Sequence, residues 1–287
     1  MATLKQIRQR IRTSKNIQQI TRAMKLVAAA RLNRAKNRVE EARPYSQKMR
    51  EFMSSVGGGG DLPAHPLLER RPIRRATVVL ITSDRGLAGS YNNALIRKAS
   101  DFVREIEGEL DIITVGRKGH QFFGKRGFRV GEVVSVPTAG AGLEDAVALT
   151  NRIRRMYESG ETDAVYLVYS RFYSPIRQVP EIVQVLPIKP PQNDSGEGVG
   201  GADYEFEPDP EELLGLLLPK YLLTVVYQAM LESSASEHGA RMTAMTSATD
   251  AAGKMIAELT LKANRARQAG ITKEILEIVA GAEALSG

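Results

Sequence analysis

The sequence predicts an α/β protein in which a small Rossmann-like sheet is inserted between two long terminal helices wound into an antiparallel coiled coil. Three observations predict it. Residues 4–56 and 209–287 repeat apolar side chains every three or four positions, the period of a helix. Residues 74–190 instead alternate short β-branched runs with helical stretches, the pattern of a parallel sheet with crossover helices. Two breaks rich in glycine, proline and acid, GGGGDLPAHP and KPPQNDSGEGVGGADYEFEP, separate the one pattern from the other. The segments follow in order: an N-terminal coiled-coil helix (1–56), a linker (57–73), the Rossmann-like domain (74–190), an exposed loop (191–208) and a C-terminal coiled-coil helix (209–287).

In the first helix Leu4, Ile7, Ile11, Ile17, Ile20, Met24 and Val27 form a narrow stripe, closer to a coiled-coil seam than to the broad face of a globular helix. The step from Ile11 to Ile17 is one residue short of a heptad and predicts local overwinding. Pro44 predicts a kink or interruption. In the insert, ATVVLITSD (76–84) reads as a strand and YNNALIRKASDFVREI (91–106) as a helix. DIITVG (111–116) is a strand, RKGHQFFGKRG (117–127) a short helix and FRVGEVVSV (128–136) a strand region. LEDAVALTNRIRRMYES (143–159) is a helix with its stripe at 143, 147, 150 and 153, and two strands, 163–172 and 178–188, close the set. The last helix starts from a capping signature of Asp209, Pro210 and Glu212, bends at Pro219, and places Ala252, Met255, Leu259, Ala263 and Ala266 on one stripe. At 1.5 Å per residue the two terminal helices would reach about 75 and 110 Å, too long for a compact domain to bury. The insert returns the chain near its point of departure, so they pair with each other, and the small residues of AAA (28–30) and SSASEHGARMTAMTSATDAAG (233–253) permit close approach.

Composition narrows the chemistry. The 287 residues contain no cysteine, and His65, His120 and His238 are not at ligand spacing, so neither a metal site nor a thiol or histidine triad is expected. Without an apolar run near 18 residues or a signal-peptide core, the chain reads as soluble and cytoplasmic. GHQFFGK (119–125) approaches a phosphate-binding loop, but Arg126 replaces the magnesium-binding hydroxyl and two phenylalanines replace small residues. SDRGLAGSYNN (83–93) is a strand-to-helix turn without G-x-G-x-x-G, better suited to presenting Asp84 and Arg85 to a partner than to holding a dinucleotide. Acid pairs such as Glu144 and Asp145 sit at helix starts, where the macrodipole accounts for them. No catalytic residue and no cofactor are assigned.

The charge is not evenly spread. Residues 1–50 hold 14 Lys and Arg against 2 acids, net +12, while the remainder is net −5. Eleven bases precede the first acid, Glu40, more than solubility requires. Nucleic acid, anionic lipid or an acidic protein surface would each answer such a helix. A basic coiled-coil nucleic-acid-binding protein is the alternative to be tested, weakened by the lack of aromatics interleaved with the bases of residues 1–40 and by the neutral-to-acidic remainder.

SKNIQQITRAMKLVAAARLNRA (14–35) and ARMTAMTSATDAAGKMIAELTLKANRARQAGITKEILEIVAGAEAL (240–285) resemble the two termini of the gamma-subunit family of F-type ATP synthases, bacterial type. SDRGLAGSYN (83–92) and YEFEPDPEELL (204–214) are similar to the family's middle, so the resemblance covers essentially the whole chain. It implies a central-stalk rotor that performs no chemistry itself and couples proton or sodium-ion flow through the c-ring to sequential changes at the beta-subunit sites. It implies alpha, beta and epsilon subunits and the c-ring as partners, no nucleic acid, and peripheral association with the cytoplasmic face of the cell membrane. By position, Met24, Lys25, Asp84, Arg85 and Arg241 match contacts to the acidic lever loop of beta. Arg267, Gln268 and Thr272 match a second beta contact, Tyr204 and Glu207 the c-ring contact, and Ile275, Ile278, Val279 and Leu285 the apical bearing. Ala88 and Ser90 stand where family members often carry Cys and Gly, and the thiol-switch cysteines of the chloroplast branch are missing.

Overall fold

The computed structural model describes residues 3–58, 65–131, 133, 134, 140, 142–189 and 210–286. The chain is α/β: two long helices, α1 (Leu4–Gly58) and α5 (Pro210–Ser286), bracket a four-stranded sheet with three shorter helices. These are α2 (Tyr91–Glu105), α3 (Arg117–Gly124) and α4 (Leu143–Glu158). The strands are β1 (Arg75–Ile81), β2 (Glu109–Val115), β3 (Ala164–Phe172) and β4 (Gln178–Leu186), in spatial order β2-β1-β3-β4. β1 pairs in parallel with β2 and β3, and β4 folds back antiparallel on β3. Two compact units divide the chain: residues 1–27 with 242–287, and residues 28–241.

In the sheet unit the alternation of β1 sorts the core into two. Val79 and Ile81 join Ile113, Val115, Val165 and Leu167 against α4, Met53 of α1 and the start of α5. Val78 and Leu80 face the other way, onto α2 and Phe123 of α3. α2 forms because Tyr91, Leu95, Ile96, Ala99 and Val103 recur at helical spacing and all are buried. α5 enters this core with Leu214, Leu218, Leu222, Val226 and Ala229 on one stripe, and the same stripe continues as Ser233 and Ser236. The change from leucine to serine has a cause. β3 outruns β1, and the freed backbone of Ser170 finds its partners on α5: its N–H donates to Ser233 Oγ (3.3 Å) and its carbonyl accepts from Ser236 Oγ (3.0 Å). Because Ser170 turns its amide and carbonyl away from β4, Pro180 opposite it turns its nitrogen to the outer edge, where no ladder bond is lost and a further strand is discouraged.

The coiled-coil unit is antiparallel. Thr249 Oγ1 donates to Thr21 Oγ1 (2.9 Å) and Ser14 Oγ to Met255 Sδ (3.5 Å), so α1 ascends as α5 descends. The seam of α1 here is Ile7, Ile11, Ser14, Gln18, Thr21 and Lys25, an unbroken heptad alternation. Ile17, Ile20 and Val27, expected on the seam, are instead 48, 59 and 53% exposed. The apparent loss of register between Ile11 and Ile17 disappears with them. Met255, also expected on the α5 stripe, is 54% exposed; Met245 and Ala252 are buried, and Ile256, Leu259, Ala263 and Ala266 partly so. The register sets Leu4 opposite residues near 266, so roughly 20 residues of α5 pass beyond the end of α1.

Further expectations are corrected. α1 is not interrupted at Pro44 and runs on through Gly57 and Gly58. The buried face of α4 is Ala146, Leu149, Thr150, Ile153 and Tyr157: positions 150 and 153 of the expected stripe are buried, whereas Leu143 and Val147 are exposed and Ala146 and Leu149 take their place. FRVGEVVSV forms no strand among the described residues, only isolated parallel bridges from Val130 to Ile112 and from Val134 to Val115. α5 contains, within Leu213–Ala282, an 18-residue window of mean hydropathy 1.4, long and apolar enough by composition to cross a membrane, where no such run was expected. The apolar start of α5 is accounted for by Leu214, Leu218, Leu222 and Val226, which pack against the sheet. Asp209, the expected cap, lies outside the described residues.

Gly116 sits at φ 89° between β2 and α3, and a Cβ there would come within 2.2 Å of the Thr82 carbonyl oxygen. Gly116→Ala is expected to cost at least about 2 kcal/mol, read as a lower urea midpoint at unchanged slope.

Candidate functional site

Open α/β sheets hold ligands in the crevice beyond the carboxyl ends of their strands. Here that position is taken by α5. Besides the two bonds to Ser170, the Phe172 N–H donates to Glu232 Oε2 (3.4 Å) and the buried Tyr91 hydroxyl to the Ser233 carbonyl (3.1 Å). The turn after β1 is closed in the same way. Ser83 N–H donates to Asn92 Oδ1 (3.0 Å) and Ser83 Oγ to the Arg85 carbonyl (2.7 Å), while Asp84 Oδ1 accepts from the Arg117 N–H at 3.0 Å and faces its Nε at 3.6 Å. The loop resembling a phosphate site is also committed: the Gly119 amide donates to Thr82 Oγ1 (2.9 Å), and Phe123 is packed edge-on between Phe122 and Phe128. No group of three or more metal-ligating side chains occurs among the described residues.

What the crevice holds is an arginine of the chain itself. Arg241 is 11% exposed at its side chain and forms a 2.6 Å ion pair with Glu237, one helical turn earlier. Its other nitrogen, Nη2, reaches the carbonyls of Gly86 (3.4 Å) and Arg85 (3.5 Å), tying the Asp84–Leu87 turn to α5. Nη1 also lies 3.4 Å from His238 Nδ1. Arginine only donates, so this nitrogen is the acceptor and the ring is neutral. Burial lowers the His238 pKa from 6.5 to about 4, helped by the positive charges of Arg241 and Arg31. Burial raises that of Glu237, opposed by Arg241. The cluster is a buried, mutually satisfied set that shapes a turn and leaves no group aimed at a substrate.

Asp84, Arg85 and Arg241 are thus brought together, Arg241 from the inside and Arg85 at the exposed rim. Met24 and Lys25 lie half-buried in the coiled-coil unit. Arg267, Gln268, Thr272, Ile275, Ile278 and Val279 are all exposed on the part of α5 that passes beyond α1. Tyr204, Glu207 and the side chain of Leu285 lie outside the described residues. Glu237 and His238 were not singled out from sequence; the i, i+4 spacing of Glu237 to Arg241, on a stripe already turning polar, was the available signal.

The comparisons agree with this arrangement. A family profile described as ATP synthase matches residues 3–285. The chain is 45% identical over 285 residues to a protein of Brevibacillus brevis named ATP synthase gamma chain, covering 98% of each. It is 46% identical to one of the same name from Moorella thermoacetica, covering 99% of this chain and 100% of the other. Among solved structures it is similar to a chain of the Tetrahymena thermophila mitochondrial ATP synthase central stalk and c-ring (TM-score 0.60, 25% identity, 80% of this chain and 99% of the other). A chain of the Euglena gracilis mitochondrial ATP synthase (TM-score 0.74, 18% identity, 98% and 94%) shares the fold.

Arg241→Ala leaves the buried Glu237 carboxylate without its cation, at an expected cost of about 3 kcal/mol. Because protonation relieves that cost, the loss should be larger at pH 8 than at pH 5, measured by urea unfolding at both. A depressed histidine pKa contributes stability that is present above 6.5 and lost as the pH falls toward about 4. His238→Gln should therefore flatten the fall in unfolding free energy over that interval, by up to about 3 kcal/mol, read by urea unfolding at each pH. An unchanged profile would show that His238 titrates as an exposed ring.

Proposed function

The chain belongs to the ATP synthase gamma-chain family, and from that premise we propose how its parts serve the rotor of the central stalk. It is a non-catalytic subunit of ATP synthase, a membrane-associated complex, and the nucleic-acid reading finds no support. The observation that carries the mechanical reading is the inverted coiled coil. Serine, threonine and glutamine fill much of the seam, while Ile17, Ile20, Leu26 and Val27 face outward. Large apolar side chains displayed along a shaft call for a surrounding sleeve.

In this reading, residues 1–56 and 209–287 form the shaft inside a ring of alternating alpha and beta subunits. Residues 74–190 form the base beside epsilon and the c-ring, with 57–73 as linker and 191–208 as exposed loop. Met24, Lys25, Asp84 and Arg85 meet the acidic lever loop of beta, with Arg241 holding the turn that carries Arg85. Arg267, Gln268 and Thr272 meet beta higher up, and Ile275, Ile278, Val279 and Leu285 turn in the apical bearing. Tyr204 and Glu207 meet the c-ring, and the complex lies peripherally at the cytoplasmic face of the cell membrane. Rotation of the c-ring, driven by ions, would turn the shaft, and each beta site would bind, convert and release nucleotide as the shaft's asymmetric surface passes. The coupling free energy is the difference in the shaft's affinity for each conformation of the lever.

The chain has no cysteine, so Lys98→Cys on the exposed face of α2 offers a single attachment point. A bead fixed there is expected to rotate in one direction during ATP hydrolysis by a surface-held head. A bead that only fluctuates while the head hydrolyses ATP would overturn the reading.

A further inference from the structure

Two turns flank α5 where residues 232–241 pass the carboxyl end of the sheet, and both display the same pair of side chains. The turn after β1 exposes Arg85 and Leu87, the latter 65% exposed and held at φ 62°, a conformation that costs a leucine about 1–2 kcal/mol. The β3–β4 hairpin exposes Ile176 and Arg177, the former 85% exposed, the highest value among the exposed large hydrophobics. Neither turn is loose. Arg241 fastens the first to α5 through the Arg85 and Gly86 carbonyls. The second is closed by Arg177 N–H to the Ser174 carbonyl (3.1 Å) and by Gln178 Nε2 to the carbonyls of Ser174 (3.1 Å) and Pro175 (2.6 Å). It presses on α5 at Gly239, where a Cβ would stand 3.3 Å from the Pro175 Cα.

The nearby charges are unevenly spent. Asp84 is engaged by Arg117, and Glu181 by Arg171 at 3.6 Å and by the Tyr173 hydroxyl at 3.3 Å. Arg171 and Arg177 both lie over the Tyr173 ring, at 5.4 and 4.9 Å from its centre, which stiffens the tip without cancelling its charge. Arg85 and Arg177 have no carboxylate within ion-pair distance among the described residues. A rigid turn that ends in one aliphatic side chain beside one uncompensated cation is complementary to a carboxylate beside a small apolar hollow. Single aliphatic tips on two rigid turns offer too little apolar area to hold a lipid surface.

We propose that the β3–β4 hairpin tip, Ile176 with Arg177, is a second docking point for an acidic protein segment of the surrounding ring, acting beside Arg85 and Leu87. This rests on the rotor reading and extends it to a hairpin that the family-matched positions do not include. The two turns let the shaft engage an acidic element from both sides of α5. Each contact is a half-hydrated charge with one apolar cap, so each is weak alone and released readily as the partner changes.

The test uses the cysteine-free chain. Ile176→Cys is labelled with a photoactivatable maleimide on the purified full chain, which is then reassembled with alpha and beta chains and with the membrane sector. Illumination is expected to yield a cross-link to an alpha or beta chain, mapped by mass spectrometry to a peptide rich in Asp and Glu. A cross-link only to a membrane-sector chain or to lipid, or none in an assembled, ATP-hydrolysing complex, overturns the proposal. Arg177→Glu and Arg177→Gln should both assemble and melt as the parent does, with ATP-driven rotation under load slowed about two- to fivefold by the reversal and less by the neutral change. Unchanged rotation in both variants is equally fatal. Dependence of binding to phosphatidylglycerol vesicles on Arg177 would reassign the tip to the membrane and overturn the protein partner. Should the unlabelled parent fail to assemble, the rotor reading falls and takes this one with it.

Discussion

Everything distinctive in this molecule depends on how closely two helices are allowed to approach. Where α1 meets α5 in the coiled-coil unit, the seam is built from side chains such as Ser14, Gln18 and Thr21 against Thr249, Ala252 and Gly253, and contact is made by hydroxyls at 2.9 Å in place of interlocked leucines. Each such bond nets about 1 kcal/mol, and few apolar side chains are buried beside them. Helix pairs of ordinary stability place their large residues inside. Placing them outside gives up part of the pair's self-sufficiency and leaves a long apolar surface exposed.

The same helix also determines what the sheet cannot do. A β2-β1-β3 arrangement of parallel strands with helices on both faces is a ligand-binding framework, and its crevice is the position from which such frameworks act. α5 occupies it with complementary chemistry: serines where β3 offers bare backbone, a tyrosine hydroxyl on a helix carbonyl, and an arginine on two turn carbonyls. The space that would admit a nucleotide is spent on packing α5 against the sheet. α5 is therefore held to the sheet by hydrogen bonds and a buried ion pair, which have defined directions, as well as by leucines, which do not.

Sequence period located the elements well and assigned faces poorly. The β-branched run of β1 and the spacing of Tyr91, Leu95, Ala99 and Val103 in α2 were sufficient because those elements bury their apolar residues within this chain. Ile17, Ile20 and Val27 obey the same period, yet they face out, since a stripe of isoleucines cannot say whether its partner is covalently attached. The heptad through Ile7, Ser14, Thr21 and Ala28 is equally present in the letters, but its small and polar side chains give no hydrophobic signal. FRVGEVVSV has strand composition, but its contacts with β2 amount to isolated bridges at Val130 and Val134. Arg85 and Arg241 could be named from the resemblance, whereas their connection through backbone carbonyls follows only from the turn's conformation.

An outward stripe raises a difficulty that its own magnitudes resolve. Fully burying a Val, Leu or Ile yields about 1.5–3 kcal/mol, so sealing ten of them in a sleeve would give on the order of 15–30 kcal/mol. A shaft held so firmly would not turn. Three features keep the attraction far below that limit. The exposed residues of α1 and α5 are already partly covered by their neighbours, so only about half of each surface is left to bury. The exposed Lys15 and Arg22 are interleaved with them, and their desolvation opposes tight closure. Where α1 ends and α5 continues alone, Ile271, Ile275, Ile278 and Val279 offer apolar contact with no hydrogen bond to break between one orientation and the next, and contact of that kind is indifferent to angle. Directional bonds thus lie mainly inside the chain, between α5 and the sheet, while the outward apolar stripe offers contact that depends little on angle.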